Sequence, residues 1–186
     1  MTTSAFDIPG NYYQQHTIER IAIGYKASLD QLGEVSDDEI HLFRKLIQLQ
    51  FADISKNIYF DFVEDHPYRY TYIDEMLLDF RKGFIKINTS GNDSRLWGKV
   101  YNLQFRAIHD YIHCLHHLDF NFPDEVKAFN KQIAFSVGAR YALKFPHLNW
   151  DKYTQALKSE IIYQAAVKAY FKVFDLDTQK IVLTEL

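Results

Sequence analysis

Between Ser94 and His117 apolar residues recur at the period of an α-helix: Val100, Leu103, Ala107, Ile108, Tyr111, Ile112 and Leu115, with Leu118 just beyond. A helix with such a stripe must bury it against other elements. At ~1.5 Å per residue this one is roughly 35 Å long, so it needs comparably long neighbours beside it.

The rest of the chain supplies them. Ile18, Ile21, Ala22, Tyr25, Leu29 and Leu32 keep helical spacing, and Gly33 is a stop signal. Ser36 and Glu39 have the spacing of a capping box. They precede a helix whose apolar face is Ile40, Phe43, Ile47, Phe51 and Ile54. A shorter helix is predicted from Ile73 to Arg81, closed by Gly83. Pro123 suits a first helical turn, and the helix it opens is expected to run to about Lys144. After the break at "FPHLN", a last long helix is predicted over Trp150 to Phe174.

Two segments read as extended. In "NIYFDFVEDHPYRY", Ile58, Phe60 and Phe62 alternate with Tyr59 and Asp61, and "FIKINTSGND" runs extended before it turns. They can pair into a small β ribbon. The tail "DLDTQKIVLTEL" is also expected to be extended. The fold class expected is mainly α: a single-domain multi-helix bundle of about six helices over residues 1–186. Residues 1–10 are expected to form a flexible arm set off by Pro9-Gly10.

Composition excludes several functions. With 21 basic against 24 acidic side chains and no basic stripe, nucleic-acid binding is not expected. No apolar run approaches the ~20 residues of a membrane span. The N-terminus lacks the basic-then-apolar pattern of a signal peptide. The lone cysteine, Cys114, precludes an intrachain disulfide and suits a reducing compartment. A cytoplasmic location is expected. The partners this leaves are a small-molecule substrate and further copies of the chain.

The chemistry concentrates in "RAIHDYIHCLHHLDF", which holds His109, His113, His116 and His117, four of the eight histidines. His109 and His113 are four apart, so both rings can face one space. Two neutral imidazoles at that spacing can bind zinc, iron, manganese or nickel. Asp110, three before His113, is expected to accept a ring N–H and orient it. His116 and His117 fall near the helix end, where an imidazole interacts with the last carbonyls. Cys114 lies off the His109–His113 face and reads as a small buried hydrophobe.

Two histidines do not complete a metal site. Glu160 shares its helix face with Ala156, Leu157, Tyr163, Gln164 and Val167. A carboxylate on so apolar a face needs a partner, either a metal or an ion pair with Arg106 or Arg140. Glu125 and Asp124 lie in a first helical turn, where an acid is favourable without any function. His16, His41, His66 and His147 read as isolated. "NTSGND" is a turn and not a phosphate-binding loop. Tyr111 and Tyr163 are notable because each adjoins a proposed ligand.

"FRAIHDYIH", "FNFPDEVKAF", "ARYAL" and "LKSEIIYQ" together resemble a group of largely uncharacterised bacterial and phage helical proteins. That group has an Arg-Ala-x-His-Asp-x-x-x-His helix, a Glu near the start of the next helix and a later Glu-x-x-x-Gln element. The similarity covers roughly Tyr68 to Gln164. It implies that His109, Asp110, His113, Glu125, Arg140, Glu160 and Gln164 occupy the group's polar positions, and so raises Glu125 to a candidate ligand. Ile112 departs from the group, which has Gly before the second His, and a bulkier residue there narrows access.

The function expected is a helical metal-binding protein, with His109, His113, Glu125 and Glu160 around a divalent ion of zinc, iron or manganese. The natural chemistry is metal-dependent hydrolysis, with Asp110, Arg106 and Tyr163 as catalytic side chains. Two His and a carboxylate could equally hold Fe(II) for oxygen chemistry. One alternative is a nucleotide phosphohydrolase of the His-Asp type, built on His109-Asp110 and His66. The other is a non-enzymatic binding or regulatory module with a buried His/Glu network.

Overall fold

A computed structural model describes residues 15–24, 35–64, 67–68, 73–92, 94, 96–138, 141 and 144–171. Residues 15–24 are helical and are followed, among the described residues, by six labelled helices. These are α1 (Asp37–Ile54), α2 (Asp74–Arg81), α3 (Gly98–His116), α4 (Phe122–Val137), α5 (Trp150–Lys158) and α6 (Gln164–Phe171). Strands β1 (Tyr59–Val63) and β2 (Phe84–Asn88) flank α2. The chain is therefore mainly helical with a small sheet. None of the described helices is long and apolar enough to cross a membrane.

The predicted capping box forms at the start of α1. Ser36 Oγ accepts from the Glu39 N–H at 3.3 Å, and Glu39 Oε2 accepts from the Ser36 N–H at 3.1 Å. Lys152 of α5 also reaches Glu39 at 2.8 Å, so this cap ties two helices together.

The two extended segments pair in parallel, with Tyr59 opposite Phe84 and Val63 opposite Asn88. Parallel strands need a crossover, and α2 provides it. Gly83 makes the turn from α2 into β2 at φ +93°, a conformation that L side chains rarely adopt.

Helix α3 is the central element, in contact with α1, α2, β2 and α4. Its buried positions include Phe105, Ala107, Ile108 and Ile112, which belong to the core shared with Phe43, Leu46 and Ile47 of α1. Regular helix begins at Gly98 rather than Ser94. Gly98 has φ +69°, and Ser94 instead closes a turn in which its Oγ accepts from the Trp97 N–H at 3.1 Å.

Helix α4 stops at Val137 and not near Lys144. Gly138 turns to the extended ψ of 144° and ends it. The last helical run is interrupted. Ser159–Tyr163 forms a π-type turn between α5 and α6. Such a turn holds an extra residue and resets which side chains face inward. Residues 1–10, Pro9-Gly10, the predicted stop at Gly33, His66, Arg140, the end of the predicted last helix and the tail lie outside the described residues.

Candidate metal centre

The site begins at the end of α3. His117 takes φ 53°, the left-handed conformation that terminates a helix. The chain then doubles back, and the Leu118 N–H donates to the His113 carbonyl at 3.0 Å. The same turn carries the Leu118 carbonyl to 3.0 Å from His113 Nδ1. A carbonyl can only accept, so Nδ1 carries the proton and the lone pair of neutral His113 lies on Nε2. The ring is fully buried and stacks on Phe120, with centroids 4.6 Å apart.

A short connection then starts α4. Asn121 caps it by accepting from the Asp124 N–H at 3.1 Å, and Pro123 sits in the first turn. Asp124 folds back to accept from the Asp119 N–H at 3.1 Å. This tight return lays the first turn of α4 beside the last turns of α3. Glu125 therefore faces His109 and His113.

Three atoms converge there. His109 Nε2 lies 3.0 Å from Glu125 Oε2 and 3.0 Å from His113 Nε2, and His113 Nε2 lies 3.6 Å from Glu125 Oε2. The point equidistant from the three is about 1.9 Å from each, and a small shift out of their plane gives the 2.0–2.1 Å of a zinc–nitrogen bond. Among the described residues, these three form a group able to hold a metal ion. His113 is sealed at 0% side-chain exposure, whereas His109 and Glu125 keep 15% and 14%. Solvent thus reaches part of the His109 and Glu125 side chains.

The electrostatics are those of a carboxylate paired with imidazoles. Burial favours the neutral form of Glu125, but the charges and hydrogen bonds of His109 and His113 outweigh it and hold its carboxyl well below the usual range. Burial likewise works against a charged His109. Glu125 and the neighbouring Asp110 more than offset this and raise the ring's titration.

The orienting role expected of Asp110 is filled elsewhere. The His113 Nδ1–H is taken by Leu118, and His109 Nδ1 lies 3.3 Å from Gln132 Oε1. All four ring nitrogens are thus engaged without Asp110. Its carboxyl is raised by burial, against the pull of His109 and His113, to about 6. The metal-capable group contains Glu125 and not Asp110, so the His109-Asp110 pair of the His-Asp reading is not brought together as ligands.

Glu160 stands outside that group. Its Oε2 accepts from Gln164 Nε2 at 2.8 Å, and Arg106 and Lys168 act on its charge. Arg106 itself pins the end of β2 to α3. Its guanidinium donates to the carbonyls of Asn88 at 2.9 Å, Ser90 at 2.8 Å and Gly91 at 2.8 Å. Tyr163 is buried in the π-type turn, with Lys158 Nζ 5.5 Å from its ring centroid. Cys114 is buried, and His116 and His117 are exposed at the helix end.

Two participants escaped the sequence reading. The Leu118 carbonyl has no side-chain signature. Gln132 had one available: it follows Glu125 by seven residues, two turns along the same face of α4. No protein-family model, no curated protein and no solved structure matches this chain.

Proposed function

We propose that this chain binds one divalent metal ion through His109, His113 and Glu125, and that the ion serves hydrolysis of a small-molecule ester or phosphoester. The observation that carries this reading is the meeting of two imidazole nitrogens and a carboxylate oxygen within 3.6 Å. With both Nε2 atoms unprotonated, such a set presents three acceptors to one cation. Three protein ligands among the described residues, rather than the four of a closed structural site, would leave a coordination position open. The partial exposure of His109 and Glu125 supplies an approach to it.

A divalent ion there would act as a Lewis acid and lower the pKa of a water molecule. The chain's own work is positional. Leu118 and Gln132 hold the rings with their lone pairs inward, and Glu125 joins α4 to α3 across the ion. Asp110, whose charge acts on both rings, is the carboxylate beside the cluster and the proposed base. Zinc, manganese and iron all suit two imidazoles and a carboxylate, and Fe(II) would turn the same ligands to oxygen chemistry.

A second reading rests on the 3.0 Å between His109 and Glu125, short enough for a direct hydrogen bond. A shared proton would then make the cluster a buried polar network in a binding module.

Metal analysis of protein purified without a His tag separates the two. About one ion per chain is expected, lost in His109→Ala, His113→Ala and Glu125→Ala. A wild-type chain that takes up no zinc, manganese or iron in stoichiometric amount overturns the metal reading. Hydrolysis of chromogenic esters and phosphoesters should disappear on chelation and return with metal. A metal-loaded chain inactive on both classes removes the hydrolase.

A further inference from the structure

Gln132 is fully buried on α4, on the face that carries Glu125. Its Oε1 lies 3.3 Å from His109 Nδ1. Its Nε2 is also buried and has no hydrogen-bond partner among the described residues. The backbone around it is held: the Gln132 carbonyl accepts from Ser136 Oγ at 2.8 Å, and Gln50 Nε2 of α1 donates to that same hydroxyl at 2.8 Å. The side chain therefore stands on a fixed base, with its Oε1 opposite the ring of His109.

A neutral imidazole carries one N–H, and the partner of one nitrogen decides where it sits. With a cation on the lone pair of Nε2, the atom that meets His113 and Glu125, the ring's proton is on Nδ1, opposite an oxygen that accepts it. Rotating the amide by half a turn puts an N–H opposite Nδ1. The ring's proton then moves to Nε2, into the cluster. The first arrangement presents three acceptors to a cation, and the second fills the cluster with a proton.

We propose that Gln132 is the positioning residue that sets the tautomer of His109 and so governs metal affinity at this site. The inference rests on the metal reading of the cluster. Gln132 touches no metal and acts only through His109.

Two substitutions separate this role from simple packing. Gln132→Met keeps length and volume but offers no oxygen acceptor. Gln132→Glu can only accept from Nδ1–H when ionised, and so enforces the metal-competent tautomer. Zinc affinity is measured on untagged protein by competition with a chromogenic chelator, with the Co(II) visible spectrum as a second readout. Gln132→Met should weaken zinc binding roughly 10–100-fold and alter the Co(II) spectrum, while Gln132→Glu retains wild-type affinity or exceeds it. Equal losses in both variants, or wild-type affinity in Gln132→Met, overturn the proposal.

The zinc-loaded protein gives an independent test, through ¹H–¹⁵N NMR of His109. Wild type should show an Nδ1–H protected from exchange by the Gln132 oxygen, and Gln132→Met should lose that protection. A wild-type Nδ1–H that exchanges freely in the zinc-loaded chain overturns this proposal alone, even if Gln132→Met fails to fold. A wild-type chain that takes up no zinc fails the metal reading on which the proposal rests.

Discussion

Glu160→Gln tests how the second candidate carboxylate is used. Burial pushes the Glu160 carboxyl up to about 7, against the Gln164 hydrogen bond and the charges of Arg106 and Lys168. In the unfolded chain it titrates near 4.5. The native state thus holds this proton more tightly than the unfolded state does. Its contribution to stability is complete below about pH 4.5, declines as the pH rises to about 7 and is flat above. At about 1.4 kcal/mol per unit, the ionised carboxylate costs up to about 3 kcal/mol at neutral pH. This is an upper figure, because the side chain keeps some contact with solvent. Glutamine still offers an oxygen to Gln164 and never ionises. Urea denaturation of both proteins in chelator, from about pH 4 to about pH 8, should show equal stability at the acid end. The variant should gain steadily to neutrality. A constant difference, or a variant less stable at neutral pH, would refute the reasoning and mean that a charged Glu160 is paired throughout. The same variant should bind metal as tightly as wild type. A tenfold or greater loss of affinity would return Glu160 to the ligand set.

Other expectations are equally direct. His109 titrates above its usual value, so a proton competes with the metal for it. Affinity should fall about tenfold per pH unit below that titration, with a proton released on binding at acidic pH, as read by calorimetry in two buffers. Arg106→Met removes the donors to Asn88, Ser90 and Gly91 and should cost about 2–4 kcal/mol in denaturant unfolding. A loss below about 0.5 kcal/mol would mean that the clamp contributes nothing. His117→Gly relieves an L residue at φ 53° and should stabilise the metal-free protein by up to about 1 kcal/mol, seen as a higher Tm. His117→Ala should show no such gain.

Local pattern made much of the fold readable. Helical periodicity marked α1 and α3, and the Ser36–Glu39 cap formed at its predicted position because a capping box needs only its own four residues. Both extended segments became strands for the same reason. Their parallel pairing was not readable, since orientation depends on where α2 packs. The stop at Gly138 and the π-type turn at Ser159–Tyr163 were also hidden, because each depends on neighbours as well as on propensity.

The site divides along the same line. By itself the sequence determined that His109 and His113 share a face, since four residues on a helix fix their relative direction whatever surrounds them. It could not distinguish Glu125 from any acid favoured in a first helical turn, nor assign Glu160 to the site or away from it. Tertiary structure decided both. The left-handed turn at His117 returns the chain so that Glu125 and the Leu118 carbonyl meet the rings, and the π-type turn sets the register in which Glu160 faces Arg106 and Gln164. Spacing along one helix is a local property. The approach of a second helix follows from the loop that joins them and the core they share.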